Sequence, residues 1–212
     1  MKIVEQSMQL EYVTPNALQM IERAGRTCYK SEDRITDDSA ATFVKMIMGY
    51  EHASVLEHAV ASFRMITDRG VTHEVVRHRI ASFSQESTRY CNYGKDKFGN
   101  EITVILPVWF DASYKHDGEP STYEMWVNAM EQAEKSYFAL LAAGQSPQQA
   151  RSVLPNSLKT EIVMTANLRE WLHFFNMRTS AKAHPQMRAL ALEGLVQLKK
   201  EVPVIFDNLP KE

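Results

Sequence analysis

Helices outnumber strands along this chain, and the two do not alternate in the regular way that a parallel sheet requires. Apolar residues at helical spacing predict a long helix from about Ser121 to Ala143, ended by Gly144. Strands are predicted over residues 1–13, 60–67, 102–106 and 159–166. Parallel strands need long crossover connections, so this order favours an α+β fold with an antiparallel sheet and flanking helices.

Six further helices are predicted from end signals and apolar spacing. Thr14 is expected to cap the first of them, with Pro15 at the first helical position, and Thr72 to cap a helix that runs through Arg79. The remaining four are expected over residues 38–49, 147–153, 168–178 and 185–202, with Ser146 and Asn167 preceding the second and third.

Length and composition limit the class of protein. A chain of 212 residues with 44% hydrophobic residues can build one core, so a single domain over residues 1–212 is expected. A net charge of −2 argues against non-specific nucleic-acid binding, and no apolar run reaches the roughly 18 residues of a membrane span. Two cysteines, Cys28 and Cys91, are too few for a disulfide framework. These features predict a cytoplasmic protein with neither nucleic-acid nor membrane partners.

The segment from Arg77 to Tyr90 collects cations and short polar side chains, and it lacks a core-forming pattern. Arginine presents a planar fork of donors that matches a phosphate or a heterocyclic carbonyl edge. Arg151 and Arg178 also lie near the ends of predicted elements. Together the arginines predict a site for a phosphorylated, base-bearing ligand. Ser87 is interpreted as a phosphate contact or, alternatively, as a nucleophile that lacks an evident base.

Two other function classes stay open at this point. An arginine-rich segment also suits a module that binds RNA or a nucleotide without chemistry. A metal-dependent phosphohydrolase would need ligands from the histidines, or from the pair His116-Asp117, but no zinc-type spacing is present and no metal site is predicted. The histidines weighed as ligands are His52, His58, His73 and His78. No Gly-x-Gly-x-x-Gly or P-loop motif is found.

Four ordered motifs resemble those of the flavin-dependent thymidylate synthases. The first is Arg77-His78-Arg79, followed by Ser87 and Arg89-Tyr90. The others are His52-Ala53-Ser54-Val55-Leu56-Glu57-His58, Ala150-Arg151-Ser152-Val153-Leu154-Pro155, and Asn167-Leu168-Arg169 with His173 and Met177-Arg178. The resemblance covers most of the chain. It implies the α+β fold of that family, assembled as a homotetramer with active sites shared between subunits.

The implied reaction is reductive methylation of dUMP to dTMP. Methylenetetrahydrofolate gives the carbon, FAD carries the hydride and NADPH reduces the flavin, so the protein positions and polarises the reactants. The partner of the folate is left open between His52 and the flavin. Arg178 is the catalytic residue by resemblance, because it would stabilise negative charge on the uracil. Such a mechanism requires no cysteine nucleophile.

The resemblance also implies two sets of binding residues. The FAD set is Ser54, Arg77, His78, Arg79, Gln85, Asn167, Leu168, Arg169 and His173. The dUMP set is Glu74, Val75, Val76, Arg77, Gln85, Glu86, Ser87, Thr88, Arg89, Arg151 and Arg178. The chain departs from the common pattern at three points. Glu74 stands where many members have Gln, Gln85 where many have Glu, and His184 lies farther from Arg178 than is usual. No role is predicted for the loop over residues 92–120.

Overall fold

The computed structural model describes residues 1–110 and 120–209. Contacts divide the chain into two compact units. Unit 1 comprises Met1–Gln6, Ile66–Val75 and Gln85–Ile162, and unit 2 comprises Ser7–Met65, Val76–Ser84 and Val163–Glu212. A single domain over residues 1–212 stays a prediction. The pair His116-Asp117 lies outside the described residues.

Seven α-helices and six strands occur in the part of the chain that is described. The helices are α1 (Ala17–Thr27), α2 (Ser39–Gly49), α3 (Arg69–Val75), α4 (Thr122–Ala142), α5 (Pro147–Ala150), α6 (Leu168–Arg178) and α7 (Pro185–Glu201). The strands are β1 (Lys2–Val4), β2 (Ser7–Val13), β3 (Val60–Asp68), β4 (Ala81–Gln85), β5 (Thr103–Ile105) and β6 (Lys159–Asn167). Within the described ranges, no helix has both the length and the apolar character needed to span a membrane.

The larger sheet has the strand order β2-β3-β6-β4. The Ser62 and Thr165 hydroxyls lie 2.7 Å apart, and Leu168 N–H donates to the Ala59 carbonyl oxygen. Residue numbers therefore rise along β3 as they fall along β6, which confirms the predicted antiparallel pairing there. The smaller sheet differs from the prediction, because β1 and β5 pair in parallel.

The core of unit 2 is an aromatic cluster between β3 and α6. Alternate residues of β3, including Ala61 and Phe63, are buried, as expected for a strand with one face on a core. The Phe63 and Trp171 rings pack edge to face with centroids 4.7 Å apart, and the Trp171 indole N–H donates to the Ala61 carbonyl oxygen at 3.0 Å. Buried Phe174 and Phe175 on α6 complete the cluster.

The core of unit 1 surrounds α4, which the sequence predicted closely. Ser121 and Glu124 form a reciprocal capping box at its start, and Gly144 adopts a φ of 87° just after its end. Tyr137 on this helix is fully buried. It packs in a cluster with Tyr93, Ile102, Val104, Met130, Ala150 and Leu158.

Three predictions about helix and strand ends are wrong. Thr14 does not cap α1, because its hydroxyl accepts from Val60 N–H at 2.9 Å, and Asn16 precedes the helix instead. The predicted strand over residues 1–13 is interrupted and splits into β1 and β2, which lie in different sheets. Thr72 does not cap α3, because the Asp68 carboxylate takes that place and accepts from Val71 N–H at 2.7 Å.

The end of α3 also differs from the prediction. This helix ends at Val75, so residues 77–79 follow the helix instead of lying on it. The chain then forms β4 (Ala81–Gln85), a strand that the sequence did not indicate because its residues are mostly small and polar. The segment from Arg77 to Tyr90 is therefore held partly by a sheet edge.

Gly194 on α7 lies against Met8 on β2, and it has no room for a methyl group. A Cβ at this position would overlap the Met8 sulfur, which is itself buried. We expect Gly194→Ala to lower the free energy of unfolding by about 1 kcal/mol, since overpacking costs about 1–3 kcal/mol and better helix propensity returns about 1 kcal/mol. Denaturant unfolding measures this change.

Gly49→Ala is the matched control, because a Cβ there meets nothing within 4 Å. This substitution should leave the free energy of unfolding unchanged or raise it slightly. A Gly194→Ala protein as stable as the wild type would show that α7 and β2 are packed less tightly than described.

Candidate functional site

His78 is the centre of a buried polar cluster in unit 2. Its side chain is almost fully buried, with a relative exposure of 4%. The Nδ1 atom lies 3.0 Å from Glu170 Oε1, and Nε2 accepts from Arg178 Nε–H at 3.1 Å. The residue that resemblance identifies as catalytic, Arg178, is thus bonded to a member of the predicted FAD set.

Helix α6 places both partners of His78. The Asn167 side chain caps this helix by accepting from Glu170 N–H at 2.9 Å, which fixes where the first turn begins. Glu170, Phe174 and Arg178 follow at intervals of four residues and share one face. The Phe174 ring contacts the His78 ring edge to face at 4.8 Å. The helix therefore orients a carboxylate, an aromatic ring and a guanidinium toward one imidazole.

The His78 imidazole is neutral in this arrangement. Arg178 only donates and the Glu170 carboxylate only accepts, so the two partners together leave the lone pair on Nε2 and the ring proton on Nδ1, facing Glu170. Burial lowers the pKa of His78 below its ordinary value of 6.5, and the nearby Arg178 and His173 lower it further, against the opposing effect of Glu170. The hydrogen-bond geometry and the lowered pKa of His78 thus favour the same neutral state.

The same cluster contains the residues that could hold a metal ion. Ligand atoms of His78, Glu170 and His173 lie within 4.8 Å of one another. Both nitrogens of His78 already have hydrogen-bond partners, and one of these partners is the cationic Arg178. A metal ion bound through His78 would have to displace one of these bonds. The donor set therefore suits an organised hydrogen-bond network better than a cation site.

The other predicted FAD residues of unit 2 differ in their exposure. Ser54 is exposed on a 3-10 segment, Ala53–His58, that packs against α6. Arg169 is also exposed and pairs with Glu57 of that segment at 2.6 Å. Arg77 and Arg79 are exposed on either side of buried His78. Leu168 is fully buried, so its side chain serves the core. Three arginines and a hydroxyl are thus presented to solvent in unit 2.

Unit 1 contains a cavity of about 420 Å³ with a basic lining. Arg151 and Thr88, both predicted for dUMP, line it and are joined by a hydrogen bond from Arg151 Nη1 to Thr88 Oγ1 at 3.2 Å. Arg69 and His73 add further positive or ionisable groups to the wall. A cavity of this size with two guanidinium groups and a hydroxyl suits a phosphate-bearing small molecule.

Ser87 lies in a turn and directly precedes Thr88, which lines the cavity. Its hydroxyl accepts from Arg89 N–H at 3.3 Å, and its carbonyl oxygen accepts from Tyr90 N–H and Cys91 N–H. Across residues 1–110 and 120–209, no histidine, lysine or carboxylate is bonded to the Ser87 hydroxyl. This environment favours the interpretation of Ser87 as a binding residue over that of a nucleophile.

The side chains of Gln85 and Glu86 are used within unit 1. The Gln85 amide donates to the Thr72 and Thr160 hydroxyls at 3.0 and 3.3 Å. The Glu86 carboxylate accepts from Tyr93 Oη and Lys159 Nζ, each at 3.0 Å. Burial and the adjacent Glu86 raise the pKa of Tyr93, so its phenol stays protonated and can donate. Gln85 belongs to unit 1, whereas the other predicted FAD residues all belong to unit 2.

The remaining predicted dUMP residues are placed differently from one another. Val75 is fully buried at the end of α3, whereas Val76 is 41% exposed. Glu74 is half-buried. Arg89 is exposed, with its guanidinium 5.4 Å from the Tyr90 ring centroid. The buried side chain of Val75 is therefore closed to a ligand, while the exposed side chain of Arg89 is open to one.

Two residues with a clear place in these sites were missed by sequence reasoning. Glu170 follows Asn167 by three residues, and Asn-x-x-Glu is the usual pattern of a helix start. That pattern indicates a helix start and carries no sign of the buried contact with His78. Arg69 stands in Asp68-Arg69-Gly70, a sequence typical of a turn, but its guanidinium donates to the Glu86 carbonyl oxygen and the Thr160 hydroxyl in unit 1.

Comparison with known proteins identifies the family. Residues 9–204 match the family described as thymidylate synthase complementing protein. A flavin-dependent thymidylate synthase of Corynebacterium efficiens is 36% identical over 202 residues, covering 91% of this chain and 80% of that protein. Its namesake in Geobacter sulfurreducens is 35% identical over 200 residues, covering 91% and 82%. One from Pyrococcus abyssi is 37% identical over 172 residues, covering 81% and 67%.

A solved structure shares the fold. The crystal structure of the UMP/dUMP methylase PolB from Streptomyces cacaoi, bound with 5-Br dUMP, matches with a TM-score of 0.81 at 23% identity, over 100% of this chain and 99% of that chain. The family match covers nearly the whole chain, and the sequence relatives exceed 30% identity. The chain therefore belongs to the thymidylate synthase complementing protein family, together with relatives named flavin-dependent thymidylate synthase.

Proposed function

We propose that this protein is a methyltransferase that converts dUMP to dTMP, with FAD as hydride carrier, methylenetetrahydrofolate as carbon donor and NADPH as reductant. The observation that carries the proposal is the bond between neutral His78 and Arg178, which fixes a guanidinium within the group of predicted flavin residues. The names of the relatives support a flavin cofactor, and the dUMP analogue bound to the structural neighbour supports the nucleotide.

The residues of unit 2 fit FAD chemically. A dinucleotide diphosphate needs cationic and hydroxyl donors, and Arg77, Arg79 and Ser54 are exposed there. FAD, when bound, supplies the redox chemistry of the reaction. The task of the protein is then to hold the reactants, to exclude water and to stabilise charge.

The residues of unit 1 fit the phosphate of dUMP. Arg151 and Thr88 are already joined by a hydrogen bond at the cavity wall, so the guanidinium needs little reorganisation before it meets a phosphate. Ser87 and Arg89 lie in the adjacent turn. In this proposal Ser87 binds the nucleotide and does not attack it.

Arg178 would act on the uracil. A fixed guanidinium stabilises negative charge that develops on the ring, and a donor that is already oriented costs no reorganisation during the reaction. His78 provides that orientation by accepting from Nε–H. The homotetramer with shared active sites that the resemblance implies is part of the same proposal.

The direct test of function is reconstitution. Purified protein should take up FAD, turn yellow, and form dTMP from dUMP when methylenetetrahydrofolate and NADPH are supplied. A preparation that binds no FAD and forms no dTMP would contradict the proposal. Salt-sensitive binding of RNA without flavin, or release of inorganic phosphate with a divalent metal, would support one of the two competing function classes.

The basic cavity should determine the affinity for dUMP. We expect Arg151→Ala to raise the KM for dUMP by about 10- to 100-fold, which corresponds to the loss of one charged hydrogen bond of about 1.5–3 kcal/mol. Ser87→Ala should raise it less and should leave measurable turnover. Steady-state kinetics of the FAD-loaded protein measures both changes.

Arg34→Ala is the control for removing a positive charge, because Arg34 is exposed on a separate 3-10 segment, Glu32–Arg34. The KM of this variant for dUMP should equal that of the wild type. If Ser87→Ala abolished turnover while dUMP binding remained intact, Ser87 would be a nucleophile after all.

The lowered pKa of His78 predicts how stability depends on pH. Below its ordinary pKa of 6.5 the unfolded chain binds a proton at this position, while the folded protein does not until its lower pKa is reached. The free energy of unfolding should therefore fall as pH decreases below about 6.5. Denaturant unfolding at pH 7.5 and 5.5 should show a smaller loss for His78→Gln than for the wild type. Equal losses in both proteins would show that His78 titrates normally.

A further inference from the structure

We infer that Glu170 is a positioning residue that controls Arg178 through His78. This inference rests on the proposed function, because it concerns the residue expected to stabilise charge on the uracil. Glu170 has no counterpart in the motifs that carry the family resemblance, and its sequence context indicates only a helix start.

The first step of the argument is the cost of burying Glu170. Its relative exposure is 8%, and that of His78 is 4%. A buried carboxylate is expensive to desolvate unless a hydrogen-bond partner compensates. His78 Nδ1 is such a partner at 3.0 Å, and the Glu170 backbone N–H is already used by the Asn167 cap. The imidazole therefore compensates the buried carboxylate through Oε1.

The second step is the tautomer. A neutral imidazole carries its proton on one nitrogen only, and the hydrogen bond of that nitrogen decides which one. A carboxylate can only accept, so Glu170 retains the proton on Nδ1. The lone pair is then left on Nε2. The other tautomer would place an N–H at Nε2, directed at the Arg178 Nε–H, and the two donors would repel each other.

The third step is the direction of the guanidinium. The bond to His78 uses Nε–H of Arg178, at 3.1 Å. This bond does not involve the two terminal Nη groups. Those groups form the fork of donors with which an arginine binds a planar acceptor end-on. Phe174, packed against the imidazole at 4.8 Å, limits rotation of the ring. Glu170, His78 and Arg178 thus form one chain that sets the orientation of the guanidinium.

The test compares two variants of nearly equal size. Glu170→Gln keeps an oxygen that can accept from Nδ1–H, so it should retain the tautomer and most of the turnover. Glu170→Leu has no acceptor, and we expect kcat to fall by about 10- to 100-fold, the usual effect of removing a residue that orients another one in a site. The KM for dUMP and the FAD content of folded protein should change little.

A double variant separates positioning from a structural effect. If Glu170 acts through Arg178, Glu170→Leu should reduce kcat much less in an Arg178→Ala background than in the wild type. Equal fold reductions in the two backgrounds would overturn the inference. Nitrogen NMR of the histidine rings provides a readout that does not depend on activity. The His78 proton should lie on Nδ1 in the wild type and in Glu170→Gln, and should lose this preference in Glu170→Leu.

Glu22→Gln is the control for disturbing a buried carboxylate. Glu22 is 1% exposed and pairs with Arg26 and Ser39 in unit 2, neither of which is a predicted binding residue. The substitution Glu22→Gln should lower the free energy of unfolding and leave kcat unchanged. If Glu170→Leu fails to fold, Glu170→Ala replaces it in the same scheme. A wild type that forms no dTMP would contradict the proposed function, while an unchanged His78 tautomer in Glu170→Leu would contradict this inference alone.

Discussion

The site in unit 2 depends on a buried imidazole that stays neutral. His78 accepts from the Arg178 guanidinium on one side and faces the Glu170 carboxylate on the other. Protonation of the ring would remove the acceptor that holds Arg178 and place two cations in contact at a buried side chain. Burial, Arg178 and His173 lower the pKa of His78 against the opposing effect of Glu170, and so oppose that protonation. The stability of this buried cluster and the orientation of the Arg178 guanidinium thus depend on the same three side chains.

The residues predicted to bind the flavin and those predicted to bind the nucleotide fall largely in different units of the chain. With the exception of Gln85, the predicted flavin residues lie in unit 2, which also presents several exposed arginines. Most of the predicted nucleotide residues lie in unit 1, where Arg151 and Thr88 line a basic cavity. The two units therefore present two different chemical environments, a group of exposed cations and a basic cavity. The proposed reaction needs both.

The sequence predicted the elements whose signals are local. The long helix α4 has a capping box and a glycine at its end, and β3 and β6 bury alternate residues, so end signals and periodicity were sufficient. The start of α1 could not be predicted this way, because Thr14 is held by Val60, which is distant in sequence. β4 was missed because it is short, polar and stabilised by pairing at the sheet edge.

The same distinction applies to the site. Arg178, Arg151 and His78 lie in motifs with fixed spacing, so the resemblance to a family could point to them. Glu170 is separated from His78 by 92 residues, and its role appears only when the fold brings them together. Arg69 likewise has the local context of a turn, but it enters the wall of the cavity. Long-range contacts of this kind leave no pattern in a single sequence.

A crystal structure of the protein with both FAD and dUMP bound is the most direct measurement. The account predicts the phosphate of dUMP within hydrogen-bond distance of Arg151 and Thr88, the uracil against an Arg178 guanidinium of the proposed shared active site, and the His78 to Arg178 bond retained. A nucleotide bound elsewhere, or an Arg178 side chain that leaves His78 and turns away from the uracil, would contradict it.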